Sequence, residues 1–156
     1  MGDAGELKLG QLVRERYGRD AVSIGFTGCT GTVTAASDWG GPAGRKPVRP
    51  PLPGSYEALF HDTGLSRFPL TLRHTGSQDS DLRARVIEGL REPPLERAIG
   101  VIYFPRSERI SHYFSARLPD QFDAIIHFDE TRAVEPLDRT EHWEKGEVPE
   151  TFPFSL

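Results

Sequence analysis

The chain has 156 residues and a formal net charge of −4, the size of one domain with enough interior for a core of its own. Its 37% apolar share is ordinary for a globular protein once the 16 glycines are counted, which excludes disorder as the default state. The longest apolar run, 98–104, falls far short of the ~20 residues of a membrane span, and residues 119–156 set ten acidic groups against three basic ones, a balance that argues against nucleic acid as a partner.

The acidic C-terminal stretch reads most simply as solvated surface. The opening Met1-Gly2-Asp3-Ala4-Gly5-Glu6 has no basic stretch followed by an apolar one, so no secretory leader is expected. A single cysteine, Cys29, rules out an internal disulfide and a zinc site built on cysteines, and it fits a reducing, cytoplasmic setting.

Along the chain, Leu9, Leu12, Val13 and Tyr17 form one stripe at helical spacing, predicting a helix over 7–17 with Gly18 as its left-handed cap. Residues 21–26 read as a strand, and 32–36 as a second, weaker one. Residues 37–54 hold four Gly and five Pro, a density at which no regular element is expected. Their two P-x-x-P spacings, Pro47/Pro50 and Pro50/Pro53, suit a polyproline reader, although proline-rich connectors show the same spacing by accident. Ser55 caps a short helix through His61, closed by Gly64. Residues 68–73 read as a strand entered through Pro69, favouring its start or a sheet edge. Ser80 or Asp81 opens a helix with Leu82, Val86 and Leu90 on one face. The run 98–104, stopped by Pro105, is the expected buried strand, with 110–114 and 123–129 as two more. Together these predict an α/β fold: a mixed, largely parallel sheet with flanking helices.

Three glycines recur in Gly25-Phe26-Thr27-Gly28-Cys29-Thr30-Gly31-Thr32. They suit close backbone approach to an anion, or simply a tight strand exit. The spacing is neither a dinucleotide fingerprint nor a phosphate loop, and Thr27 stands where a nucleophile elbow needs glycine. Among five histidines, His127-x-Asp129 alone has close, metal-like spacing, and i, i+2 in a strand puts both on one face. Two ligands fall short of a zinc site, so no metal and no cofactor are expected. His112, in line with Ile110 and Phe114, reads as a hydrogen-bonded core histidine. His61, at a helix end, reads as a favourable terminal charge.

The segments GELKLGQLVRERYG at 5–18 and SIGFTGCTGTVTAASDWGGPAGRKPVRPPLPGSYEALFH at 23–61 resemble the erythromycin esterase-like family. The likeness continues through RAIGVIYFPRSERISHYFSARLPDQFDAIIHFDETRAVEPL at 97–137 and WEKGEVPETFPFSL at 143–156. It is a resemblance to that family's C-terminal portion, over 1–156. It implies a hydrolase of esters or lactones, conferring macrolide resistance in known relatives, with a histidine base supported by glutamate and arginine. The family's His-Asn-x-His segment is absent, since no His-Asn dipeptide occurs in the chain. No residue of the chain therefore inherits a catalytic role. The chain is expected to be an incomplete part of a larger α/β fold, from a truncated gene or a misplaced start, and inactive and self-associating alone.

By analogy with open α/β sheets, Thr27, Thr30 and Thr32 would line one side of a small-molecule ester or lactone pocket, with Tyr56, Glu57 and His61 at its rim. Two other readings stand beside this one. One is a non-catalytic α/β module that pairs with a partner chain or an upstream domain; the other is a different enzyme using Cys29 or the His127/Asp129 pair.

Overall fold

A computed structural model describes residues 9–73, 81–92, 95–137 and 141–145. The elements in order are α1 (Leu9–Tyr17), β1 (Ile24–Ala35), β2 (Gly44–Val48), α2 (Tyr56–His61), β3 (Arg67–Thr71), α3 (Asp81–Gly89), β4 (Leu95–Arg97), α4 (Glu108–Ser111), β5 (Tyr113–Ser115), α5 (Leu118–Gln121), β6 (Ala124–Thr131) and α6 (Glu141–Lys145). Four strands form one sheet in the order β2-β1-β6-β3, and β4 and β5 pair separately. The fold is α/β with a mixed sheet and flanking helices: β1 and β6 run parallel and the other pairs antiparallel. No described helix is long and apolar enough to cross a membrane.

The largest departure from expectation is β1. Twelve residues run as one strand through the glycine-rich stretch, so there is no strand exit between Phe26 and Thr32. The glycines serve close strand approach instead. A Cβ at Gly25 would lie 2.7 Å from Ile125 Cδ1, and one at Gly28 2.8 Å from Thr131 Cγ2. Gly31, at φ +113°, would drive a Cβ into the Thr131 backbone.

Residues 37–54 also depart from expectation, because they contain β2. It pairs antiparallel with β1 from Gly31↔Val48 to Ala35↔Gly44. Proline is tolerated there because β2 is an edge strand. Lys46 buries its stem and donates from Nζ to Ser37 Oγ (2.7 Å) and the Tyr103 carbonyl (3.0 Å). The run 98–104 is not a strand. It touches a strand end through one bridge, Ala36↔Ile102, between Gly100 and Pro105, while β4 lies just before it. Likewise 110–114 is split: Ile110 sits in α4, 90% exposed, and only Tyr113–Ser115 is extended.

Elsewhere the sequence rules hold. Ser55 Oγ accepts from Ala58 N–H at the start of α2, and Gly64, at φ +72°, closes its end. β3 is an edge strand, as Pro69 requires. Gly18 is left-handed after α1. Residues 7, 8 and 80 and His74 lie outside the described residues, as does the side chain of His142.

The chain divides into two compact units. The first holds residues 1–26, 69–93 and 117–126, with Leu72, Leu90, Leu118 and Ile125 buried. Its polar centre is Asp123, which receives Arg14 (Nη2–Oδ2, 2.6 Å), Arg73 and the Ser23 amide. Burial pushes the Asp123 carboxyl up, but these donors outweigh it and hold it below the ordinary range. The expected stripe of α1 exists, yet no α1 residue is buried. The second unit holds 27–68, 94–116 and 127–156. Tyr56, Phe60, Tyr103, Ala116 and Trp143 are buried there, and Phe60 meets Phe68 and His127 edge-on.

Candidate functional site

Period-two geometry puts Thr27 and Cys29 of β1 on one face, and His127 and Asp129 of β6 likewise. β1 and β6 are neighbours, so the four side chains converge. Thr27 Oγ1 lies 2.9 Å from His127 Nδ1, and His127 Nε2 lies 3.1 Å from Asp129 Oδ1. The same oxygen lies 3.0 Å from His61 Nδ1, at the end of α2. The result is a polar file from Thr27 through His127 and Asp129 to His61.

The donors follow from charge. The hydrogen bond from His61 holds the Asp129 carboxyl below its ordinary range, with His127 adding to it against the cost of burial. An ionised Asp129 only accepts, so both imidazoles donate to it, His127 from Nε2 and His61 from Nδ1. His127 Nδ1 then accepts the Thr27 hydroxyl. His127 is fully buried and acts as a spacer. His61 is half-exposed, at 55% of its side chain; its Nε2 is the ring nitrogen left over, and the residue lines an open cleft of ≈ 530 Å³ with Pro51, Pro53, Ser55, Ala58 and Leu59. That volume suits a small-molecule ligand. His61 is the basic residue in the last turn of α2, as expected, and it also meets Asp129.

Cys29 lies against this file, with Sγ, a His61 nitrogen and an Asp129 oxygen all within 4.8 Å of one another. Burial pushes its thiol up, followed by the charge of Asp129, while Arg97 pulls the other way. Cys29 is therefore a protonated thiol and not a nucleophile at neutral pH. Arg97 stands behind it. β2 pairs with β1 only from Gly31 onward. Before that ladder, Arg97 Nη2 donates to the carbonyls of Gly28 and Cys29. Its Nη1 meets Glu108 Oε1 at 2.8 Å, with both side chains almost wholly buried.

The six pocket candidates fare differently. Thr27 and His61 join the file. Thr30 Oγ1 donates to the Asp129 carbonyl (3.1 Å), and Thr32 Oγ1 accepts the Ala133 amide (2.9 Å), so both hydroxyls stitch β1 to the segment of β6. Tyr56 is enclosed and donates to the Ala116 carbonyl (3.1 Å). Glu57 is also enclosed, with Oε1 accepting the Arg97 amide (3.1 Å) and Oε2 without a hydrogen-bond partner. His112 is hydrogen-bonded as expected, between the Ala98 carbonyl and the Phe104 amide, though only half-buried.

A family model described as erythromycin esterase matches residues 1–131. The chain belongs to the erythromycin esterase family. A solved protein from Bacillus cereus is similar to it at 22% identity, with a TM-score of 0.61 over 79% of this chain and 28% of its own. A succinoglycan biosynthesis protein is similar at 22% identity, with a TM-score of 0.59 over 81% of this chain and 28% of its own. At that identity the likeness is one of fold. The chain spans about 28% of the length of each.

Proposed function

We propose that this chain is the C-terminal segment of an ester- or lactone-hydrolysing domain, and that it forms one wall of a site completed by residues outside it. Family membership over residues 1–131 carries the reading. The cleft beside His61 supplies a place for the substrate, a small ester or macrolide lactone, with the imidazole as a polar contact. Hydrolysis adds water across the acyl–oxygen bond, giving a carboxylic acid and an alcohol. That step needs a base and oxyanion donors. His127 is buried, Cys29 is protonated, and the chain lacks the family's His-Asn-x-His segment, so we assign water activation to the remainder of the domain. We place the protein in the cytoplasm, with a role in the response to macrolide antibiotics and no nucleic-acid or membrane partner.

The exposed stripe of α1 favours a second reading, a non-catalytic module. Leu9, Leu12, Val13 and Tyr17 face outward, a face suited to an upstream domain, a partner chain or a second copy.

One experiment separates the two. Opening of a macrolide lactone, read as the mass gain of one water, is measured for this chain and for a fusion in which it replaces the matching segment of a macrolide-hydrolysing family member. The hydrolase reading expects an inert chain and an active fusion. A fusion that folds and opens no lactone favours the module, and turnover by the chain alone contradicts the shared site.

A further inference from the structure

We propose that Cys29, His61 and Asp129 form a binding site for one zinc-class divalent cation, with a fourth position open to water or a ligand. This goes beyond hydrolysis and assigns the three residues a role that does not depend on it. They arrive from three elements, β1, α2 and β6, and their donor atoms already lie within 4.8 Å of one another.

Tetrahedral zinc binds thiolate sulfur at about 2.3 Å and imidazole nitrogen or carboxylate oxygen at about 2.0–2.2 Å. Its donor atoms therefore sit about 3.3–3.8 Å apart. The His61 Nδ1–Asp129 Oδ1 separation is 3.0 Å, and the others need to close by no more than about 1.5 Å. Rotation of the half-exposed His61 closes the sulfur–nitrogen gap, and a side-chain adjustment of Cys29 or Asp129 closes the sulfur–oxygen gap.

Charge and softness agree. A thiolate and a carboxylate offset the cation's two charges, and a thiolate–imidazole–carboxylate set suits zinc or cobalt over magnesium or calcium. Glu57 and Asp62 act on Cys29 in the same sense as Asp129. The Oε2 of Glu57 is buried with no hydrogen-bond partner. The opposing charge, Arg97, is itself paired with Glu108.

In the metal-free protein the Cys29 thiol holds a proton. Metal binding releases it to solvent, and His61 ligates through Nδ1 with its own proton on Nε2. His127 stays outside the ligand set and orients the Asp129 carboxylate from behind. Such support is worth about 10–100-fold in affinity. The sequence conceals the site because its ligands lie 32 and 68 residues apart.

The chain has one cysteine, so a thiolate-to-metal band has one origin. Chelator-treated full chain is titrated with cobalt(II) chloride and followed by near-ultraviolet and visible absorption. The site predicts saturation near one equivalent, a thiolate-to-cobalt charge-transfer band and the visible bands of tetrahedral cobalt, all displaced by zinc. Cys29→Ser should abolish the charge-transfer band, and His61→Gln should weaken binding at least about tenfold. His127→Gln should keep the band and weaken binding by about 10–100-fold. Wild-type protein that binds no cobalt, or binds it without the charge-transfer band, overturns the proposal. So does unchanged affinity in His61→Gln, a variant whose half-exposed position spares the fold.

Discussion

At the scale of the residue, Asp129 determines what its neighbours can do. One of its oxygens accepts hydrogen bonds from two imidazoles, which fixes the tautomer of each and leaves His127 Nδ1 as a buried acceptor. Thr27 supplies the donor for it. Thr27→Val keeps the shape and removes the hydroxyl, leaving that nitrogen unsatisfied at a cost of about 1–3 kcal/mol. Urea unfolding should show the unfolding free energy falling by that amount, as a lower midpoint with an unchanged slope, whereas the same stability as wild type would mean that no hydrogen bond is lost. Part of this arrangement is legible in the sequence. The pair His127-x-Asp129 follows from period two in a strand, and Thr27 with Cys29 obeys the same rule. The link to His61 is not legible, because 68 residues separate it from Asp129 and its helix-end position offers a simpler role.

Elements show where local rules give way to pairing. Helix caps are readable at Ser55, Gly18 and Gly64, since a cap is decided by the residue that makes it. Strands are harder. The glycines of β1 look like turn residues in isolation, but a parallel neighbour explains them as points of close approach. Gly31→Ala is the test. It places a side chain at φ +113° and against the Thr131 backbone, so destabilisation of at least about 1–3 kcal/mol is expected. Gly10→Ala, in a helix with open space around its Cα, should be neutral or stabilise by up to about 1 kcal/mol. Equal effects from the two would contradict the strand assignment. The apolar run 98–104 misleads for the opposite reason. Its composition suits a strand, yet it makes a single β-bridge, and of its residues only Tyr103 is buried. Proline density misleads at 37–54, where an edge position lets Pro47 pair opposite Thr32 without a missing bond inside the sheet.

For the molecule as a whole, the alternation of helical and extended segments gives the α/β class, while the family rests on the ordered succession of segments and on the match over 1–131. Helical periodicity marks the stripes of α1 and α3 but cannot say what covers them. Leu9 is 78% and Leu82 69% exposed, so an apolar face predicts a helix more securely than it predicts a core. The functional geometry belongs to neither composition nor periodicity. Residues 27, 29, 61, 127 and 129 meet only because β1, β6 and α2 come together, and the central claim is that Asp129 joins them. Proton-detected nitrogen spectra of the histidine side chains in the metal-free protein test it most directly. The arrangement predicts a proton on Nδ1 of His61 and on Nε2 of His127, with both signals moving together in Asp129→Asn. A variant spectrum in which either ring is unchanged, or a wild type with the opposite tautomers, would contradict it.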